Sequence, residues 1–438
     1  MVSKILYVVH CVDTEGPLNE TLGATFERLN KTFNLKFKPS QKKLKDLQNK
    51  KVKLQGLENA VADFLNPKLL KYNKNLNELE QMLTKALSKE FRTTYLDDFN
   101  KGWVYSWHCV DHINLVINPR SKIIGYGKVF EFYRNILKKN ESKDDEIYWH
   151  FHPHSITNDP LQAGTSYYNS MSTLLNIICK RIIKHQWFPT CNRPGFHAER
   201  PDSHMFLEQW VPFDYANQFC KQNNNQPDLS MGRFGDWRRA SRSWRGYHPN
   251  HFDYQVRGKC NRRIFRCLNV GTRFNLLKES HVIEAFKEAQ KKGKAILAFA
   301  NHDYRDLRPD VMYVKKILKK IRGKFSDVKV KYSNAENAAR QIVVEETGKV
   351  KKPEIEVFIK DNRLIVNNKG GKLFGPQPFL SIQSKKNRFY HDNFDFQKPN
   401  KQWSYTFDDQ TLKLEDIKSI GVASAGAQGF RTVKIINL

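Results

Sequence analysis

The 438-residue chain is short of acidic groups: 45 Asp and Glu stand against 74 Lys and Arg, for a formal charge of +29. It also lacks any Cys-x-x-Cys pair. Its seven cysteines, at positions 11, 109, 179, 191, 220, 260 and 267, are odd in number and scattered, which argues against a disulfide framework and a structural zinc knuckle and fits a reducing compartment. No stretch reaches the roughly eighteen uninterrupted apolar residues of a membrane-spanning helix, and the run Leu174–Ile183 is broken by Lys180 and Arg181. The N-terminus carries one lysine and the short apolar run 5–9, without the long apolar region or small-residue cleavage site of an export signal. A cytoplasmic protein with no transmembrane segment is the expectation; peripheral contact with a membrane is compatible with the charge. No internal repeat, low-complexity tract or base-reading module is present, so no specific nucleic-acid partner is expected.

The positive excess is spread along the chain and is mostly lysine. It reads either as a solvated basic surface or as a complement to an anionic glycan, a membrane surface or nucleic acid. A hydrophobic content of 39% and an aromatic content of 12% belong to a globular protein, and the length allows one large domain with a smaller one.

Runs rich in Val, Ile, Tyr, Trp and Phe predict strands at 4–12, 103–110, 114–118, 146–151, 187–191, 295–300 and 327–332. Helical periodicity lies between or after them, at 125–139, 166–186, 203–221, 281–292, 309–322 and 334–346, with Ser333-Asn334-Ala335-Glu336 as a capping-box start. This alternation implies an α/β fold, a distorted (β/α) barrel whose strand C-termini share one mouth. Residues 18–100 interrupt the first strand-helix unit with Lys-rich amphipathic stretches, too long for a connection, and read as a helical insertion forming a lid or substrate wall. From residue 351 the pattern becomes β-alternating, with Asp361-Asn362 as a hairpin turn, which divides the chain into a barrel over 1–350 and a β-rich domain over 351–438.

Asp13 and Glu15 close the first predicted strand, followed by Gly16-Pro17. Two carboxylates there can bind a metal and take a proton from water, or simply cap a turn. His150, His152 and His154 alternate at the end of another apolar run, so an extended chain aims all three imidazoles one way; with two carboxylates they make a donor set for a divalent metal. Asp111-His112 ends a further strand as a metal-capable or pocket-lining pair, and Asp236-Trp237, with Arg238, Arg239, Trp244 and Tyr247, offers an aromatic and basic wall for sugar rings or a packed surface loop. The segment Glu199–Glu208 is dense in polar groups just before a helix, without a spacing that says which residue acts.

These motifs, in this order, resemble the polysaccharide deacetylase (NodB-homology) superfamily, in a divergent branch whose first motif reads Asp-Thr-Glu-Gly. The resemblance spans residues 4–345 apart from the insertion, through short motifs whose order is more specific than any one of them. It implies that Asp13 is the general base and Glu15 the acidic ligand, or the reverse, since Thr14 separates acids that are usually adjacent. The Glu146-Ile147-x-x-His150-x-x-x-His154 spacing selects His150 and His154, whereas a His-x-His-Pro reading selects His150 and His152. Asn192-Arg193-Pro194-Gly195-Phe196 resembles the motif whose guanidinium orients the catalytic aspartate; a structural arginine is the plainer reading. Leu297–Asp303 resembles the last motif, with His302 as general acid and Asp303 or a neighbour orienting it.

The implied activity is metal-dependent removal, most simply with zinc, of an acyl group from an N-acetylated sugar, as in surface-glycan biosynthesis on a lipid- or nucleotide-linked carrier. Two rivals remain: a glycoside hydrolase on a related barrel, and a non-catalytic glycan- or nucleic-acid-binding protein. Thr406-Phe407-Asp408-Asp409 spells a common first motif of the same superfamily, but it sits in an alternating β context with no histidine motif downstream and reads as a hairpin turn.

Overall fold

The computed structural model describes residues 3–112, 126–153, 167–220, 235–348 and 352–438. Nine strands belong to its first part: β1 (Ile5–Thr14), β2 (Tyr105–His112), β3 (Glu146–His152), β4 (Cys191–Pro194), β5 (Phe213–Asn217), the small hairpin β6 (Pro249–Asn250) and β7 (Asp253–Arg257), β8 (Arg263–Asn269) and β9 (Lys294–His302), with β10 (Lys329–Tyr332) after them. Parallel pairing runs β1-β2-β3-β4-β5-β8-β9 and returns to β1, which closes a seven-strand barrel. β1 is the seam. Residues Ile5–Asp13 pair with Lys294–His302 on one side; on the other, Ile5–Val8 pair with β10 and His10–Thr14 with β2.

Strand parity sorts the side chains. Tyr7, Val9 and Cys11 of β1, Tyr148 of β3, Cys191 of β4, Phe265 and Cys267 of β8, and Ile296, Ala298 and Ala300 of β9 fill one cluster together with Ala335, Ala338, Ala339 and Ile342. The last four come from α11 (Ala335–Thr347), and the start of this helix is pinned by Tyr215 Oη donating to Ala335 O at 2.6 Å and Tyr148 Oη donating to Asn334 Oδ1 at 3.0 Å. The opposite parity of β1, Leu6, Val8 and Val12, packs in the larger cluster shared with the outer helices. Continuing the inward parity to the strand ends gives Asp13, His150, His152, Arg193 and His302.

Among the described residues, ten further α-helices precede α11: α1 (Leu22–Phe33), α2 (Gln41–Gln48), α3 (Glu58–Phe64), α4 (Leu76–Leu87), α5 (Lys89–Thr93), α6 (Tyr126–Lys139), α7 (Met171–His185), α8 (Pro201–Trp210), α9 (Glu279–Lys292) and α10 (Arg308–Arg322). α1–α5 make up the helical insertion. Phe26, Leu29, Phe33, Leu47, Val61 and Phe64 form its own core, and Asn73 ties it to the loop after β9 through Tyr304 O at 2.8 Å and Asp303 O at 2.9 Å.

The C-terminal strands β11 (Glu354–Lys360), β12 (Arg363–Gly370), β13 (Phe379–Ser384), β14 (Phe389–Asp392), β15 (Asp395–Lys398), β16 (Gln402–Thr406), β17 (Ile417–Ala425) and β18 (Arg431–Asn437) form two four-stranded antiparallel sheets. Trp403, Tyr405 and Phe407 are buried between them, Asp361 and Asn362 turn with φ of 49° and 55°, and Asp408 accepts from the Gln410 and Thr411 amides as a turn residue. α7 seats this domain: Ser381 Oγ donates to Cys179 O at 3.1 Å.

Some expected elements differ. The helix over 203–221 stops at Trp210, because Pro212 drives Val211 out of the helical region, and the chain enters β5 instead. β8 was not anticipated: Arg263 and Arg266 interrupt its apolar pattern, yet both are buried, paired with Glu346 and Glu284. The strand expected at 187–191 starts at Cys191, and α11 is capped by Asn334 rather than Ser333. The strand expected at 114–118 lies outside the described residues.

A buried ion pair between Arg92 and Asp145 fastens the insertion to the chain before β3, beside the exposed pairs Glu80–Lys139 and Asp98–Arg322. Asp145 accepts from Arg92 Nη2 at 2.6 Å, from Trp107 Nε1 at 3.1 Å and from the Tyr105 amide at 2.9 Å. Asp145→Ala leaves a mostly buried guanidinium unpaired and is expected to cost about 3–5 kcal/mol, read as a lowered midpoint in urea unfolding; an unchanged midpoint would show that the pair contributes nothing.

Candidate metal and catalytic site

β1 and β9 place Asp13 and His302 side by side in register, and β3 and β4 do the same for His150 and Arg193. Asp13 is 1% exposed, and its Oδ1 accepts from Arg193 Nε at 2.7 Å. The same guanidinium donates through Nη1 to Tyr215 O at 2.8 Å and through Nη2 to His197 Nδ1 at 3.0 Å. Burial disfavours a charged Asp13, but Arg193, His150, His302 and His197 outweigh it and hold the carboxyl far below the usual carboxylate range.

His150 donates from Nδ1 to Arg193 O at 2.6 Å, which leaves its Nε2 as a lone-pair nitrogen. That nitrogen faces His152 Nε2 at 2.9 Å, and Glu15 Oε1 lies 3.8 Å from the first and 3.6 Å from the second. Donor atoms around a tetrahedral zinc with bonds near 2 Å stand about 3.3 Å apart, so these three separations bracket the spacing of a shared ion. Glu15, His150 and His152 therefore fit a metal by donor type, tautomer and distance. Of the two histidine readings, the geometry brings together His150 and His152; His154 lies outside the described residues.

The turn that aims Glu15 is built for the purpose. Gly16 takes φ of +82°, where a side chain would be strained, and the carboxylate of Asp303 accepts from the Glu15 and Gly16 amides, both at 2.9 Å, and from Tyr133 Oη at 2.8 Å. Asp303 thus clamps the first motif. Neither Asp303, whose oxygens are committed elsewhere, nor a neighbour among the described residues hydrogen-bonds His302 Nδ1 to orient it. His302 Nε2 sits 3.8 Å from both Asp13 Oδ2 and Glu15 Oε1.

On the far side, Phe196 and His197 adopt left-handed φ of 54° and 50°, conformations that cost on the order of 1 kcal/mol each. The turn folds His197 back onto Arg193 and sets Phe196 edge-on to His152, ring centroids 5.0 Å apart. Sequence reading stopped one residue short of His197, and the signal was there: a histidine four residues after the arginine. His108 was also missed; it is wholly buried beside Asp13 in the β1–β2 register, where burial pushes its imidazole down to about 3.

The cavity above these groups holds about 150 Å³, and the insertion supplies one wall: Arg28, Phe64, Leu69 and Tyr72. Phe274, Tyr304, Arg273 and Arg305 face them from the loops after β8 and β9. The wall expected from Asp236 and Trp237 is not part of this cavity. Asp236 pairs with Arg238 at the surface, and Trp237 is buried, donating from Nε1 to His197 O at 2.8 Å. Asp111 is likewise removed from the mouth. Inward parity in β2 falls on Ser106 and His108, so Asp111 points to the helix layer, where it pairs with Arg181 of α7 at 2.5 Å and accepts from Trp149 Nε1 at 3.1 Å. The side chain of His112 lies outside the described residues.

Among the described residues, no helix is long and apolar enough to cross a membrane. No protein-family model matches the chain, and no curated protein matches it. Among solved structures, a Cellulomonas fimi endo-beta-1,4-mannanase double mutant aligns at 10% identity with a TM-score of 0.26, covering 77% of this chain and 86% of that one, a likeness too low to bear on activity.

A Cβ on Gly195 would stand 2.6 Å from His152 Cγ. Gly195→Ala is expected to push the imidazole off the His150–Glu15 pair and weaken metal retention roughly tenfold or more, while the far-ultraviolet circular dichroism stays native. Unchanged metal content by elemental analysis would show that His152 is not a ligand.

Proposed function

We propose that the protein is a divalent-metal-dependent hydrolase, with zinc the ion its donors suit, and that it removes the acyl group from an N-acetylated sugar. The observation that carries this reading is the convergence of Glu15, His150 and His152 beside an Asp13 locked to Arg193 and facing His302. The order of these residues along the chain, similar to that of polysaccharide deacetylases, adds the bond type and substrate class.

Held by Glu15, His150 and His152, the ion would polarise the amide carbonyl and bring the pKa of a water toward neutrality. The remaining work belongs to side chains. Arg193 occupies Asp13 Oδ1 and keeps the carboxylate ionised, which leaves Oδ2 to accept the proton of the attacking water. Burial pushes His302 down to about 4, against the pull of Glu15 and Asp13, so its imidazole rests neutral at neutral pH. The proton it delivers to the departing amine is accordingly one received during the reaction, and Asp13 Oδ2, 3.8 Å from His302 Nε2, is the nearby source.

Tyr72 and Tyr304 line the cavity with aromatic surface for a sugar, Arg28 is neutralised by Glu20, and Arg305 suits a substrate bearing negative charge, as a nucleotide- or lipid-linked sugar does through its phosphates. A glycosidase needs one carboxyl held protonated, and both Asp13 and Glu15 are shifted toward the ionised form, which counts against that alternative.

His150→Ala should lose one equivalent of metal relative to wild type, and Asp13→Asn should keep its metal while acetate release from N-acetylated sugars falls about 10²–10⁴-fold. Equal metal in wild type and His150→Ala, or no acetate release from any N-acetylated sugar by metal-loaded wild type, sinks the reading.

Metal retention should also depend on pH. Burial alone would weaken proton binding at His150, but Asp13 and Glu15 reverse this and raise its pKa above the ordinary imidazole value. Protons then compete for a ligand nitrogen as pH falls through that raised value, so dialysis against buffers stepped from pH 8 down to 5 should release the barrel metal on the acid side. Retention that is flat with pH would exclude His150 as a ligand.

A further inference from the structure

A second convergence of metal-type donors lies away from the barrel mouth, in the polar-rich segment that begins α8. His204 and Glu208 stand one helical turn apart on that helix, and the β6–β7 hairpin brings His251 and, just beyond it, Cys260 against them. Cys260 Sγ is 3.5 Å from His251 Nδ1 and 3.9 Å from His204 Nε2, and Glu208 pairs directly with His251 Nδ1. The donor atoms of His204, Glu208 and Cys260 all lie within 4.8 Å of one another. Sulfur and nitrogen ligands of a tetrahedral zinc, with bonds near 2.3 and 2.0 Å, are separated by about 3.5 Å, which the Cys260–His251 distance matches and the Cys260–His204 distance of 3.9 Å exceeds.

Burial grades across the cluster: His204 and Cys260 are each 1% exposed, whereas the side chain of His251 is 53% exposed, so an ion has an entry side facing solvent. His204 Nε2 donates to Asn250 O at 2.7 Å, so it joins an ion by giving up that bond and carrying its proton on Nδ1 instead. Among the described residues its Nδ1 is buried with no hydrogen-bond partner, and the thiol is the side chain that faces its Nε2.

We propose that Cys260, His251, Glu208 and His204 form a second site for a divalent transition metal, zinc-like in its donors, that fastens the β6–β7 hairpin to α8. Its role is structural, since all four donors come from the protein and none lines the cavity holding Asp13. The alternative is a hydrogen-bonded Cys–His–Glu cluster that holds the same elements together without an ion.

Cobalt(II) distinguishes them, because a thiolate ligand gives it an intense near-ultraviolet charge-transfer band and the barrel cavity has no cysteine in its lining. Full-length protein stripped with a chelator and titrated with cobalt(II) should show this band in the wild type, keep it in His150→Ala and lose it in Cys260→Ser. If Cys260→Ser does not fold, His251→Gln, at a half-exposed position, should weaken the cobalt affinity read from the same band by roughly tenfold or more. No band in the wild type, a band that persists in folded Cys260→Ser, or an unchanged affinity in His251→Gln would overturn the proposal. The readout needs no turnover, and failure of the barrel site would leave the band in place.

Discussion

The buried pair between Asp13 and Arg193 is the constraint on which the candidate site depends. Withdrawing both charges from water costs several kcal/mol per ion, and the cost is offset only if the remaining hydrogen-bonding capacity is met. Arg193 meets it by donating to Asp13, to the Tyr215 carbonyl and to His197, while its own carbonyl accepts from His150. One residue of β4 thereby fixes the ends of β1, β3 and β5 and the tautomer of a candidate ligand. The left-handed turn at Phe196 and His197 is sustained by the same contacts, since His197 must return to the guanidinium.

Around this pair the barrel works as an aligning device. Parallel register sets Asp13 beside His302 and His150 beside Arg193, and inward parity gathers them over an apolar interior that α11 shares. A second set of contacts, from Asp303 to the amides of Glu15 and Gly16, lays Glu15 over the histidines. The insertion hangs on the same β9 loop through Asn73 and brings Arg28, Phe64, Leu69 and Tyr72 to the cavity wall.

Much of the barrel was legible where local pattern and tertiary role agree. β1, β3 and β9 read as apolar runs because both their faces are buried, and Asp13, His150 and His302 stood out as polar residues at the ends of those runs. β5 and β8 were not legible. The first sits behind a helix that stops only because of Pro212, and the second is studded with arginines whose charges are buried against glutamates distant in sequence. The misplaced candidates share one cause. Asp111, Asp236 and Trp237 were chosen for residue type near a strand or loop, and which way a side chain points depends on strand parity and on partners such as Arg181 and the His197 carbonyl.

The sequence by itself determined the α/β alternation, the inserted helices, the β-rich C-terminal segment and the order of the polar residues, because each depends on periodicity or on a short motif. Tertiary structure alone decided that His152 stands against His150, that Asp303 holds the first motif rather than His302, and that His204, Glu208, His251 and Cys260 meet at all. These outcomes turn on contacts between residues far apart in the chain, whose distances are set by barrel closure and loop packing, and no local spacing encodes them.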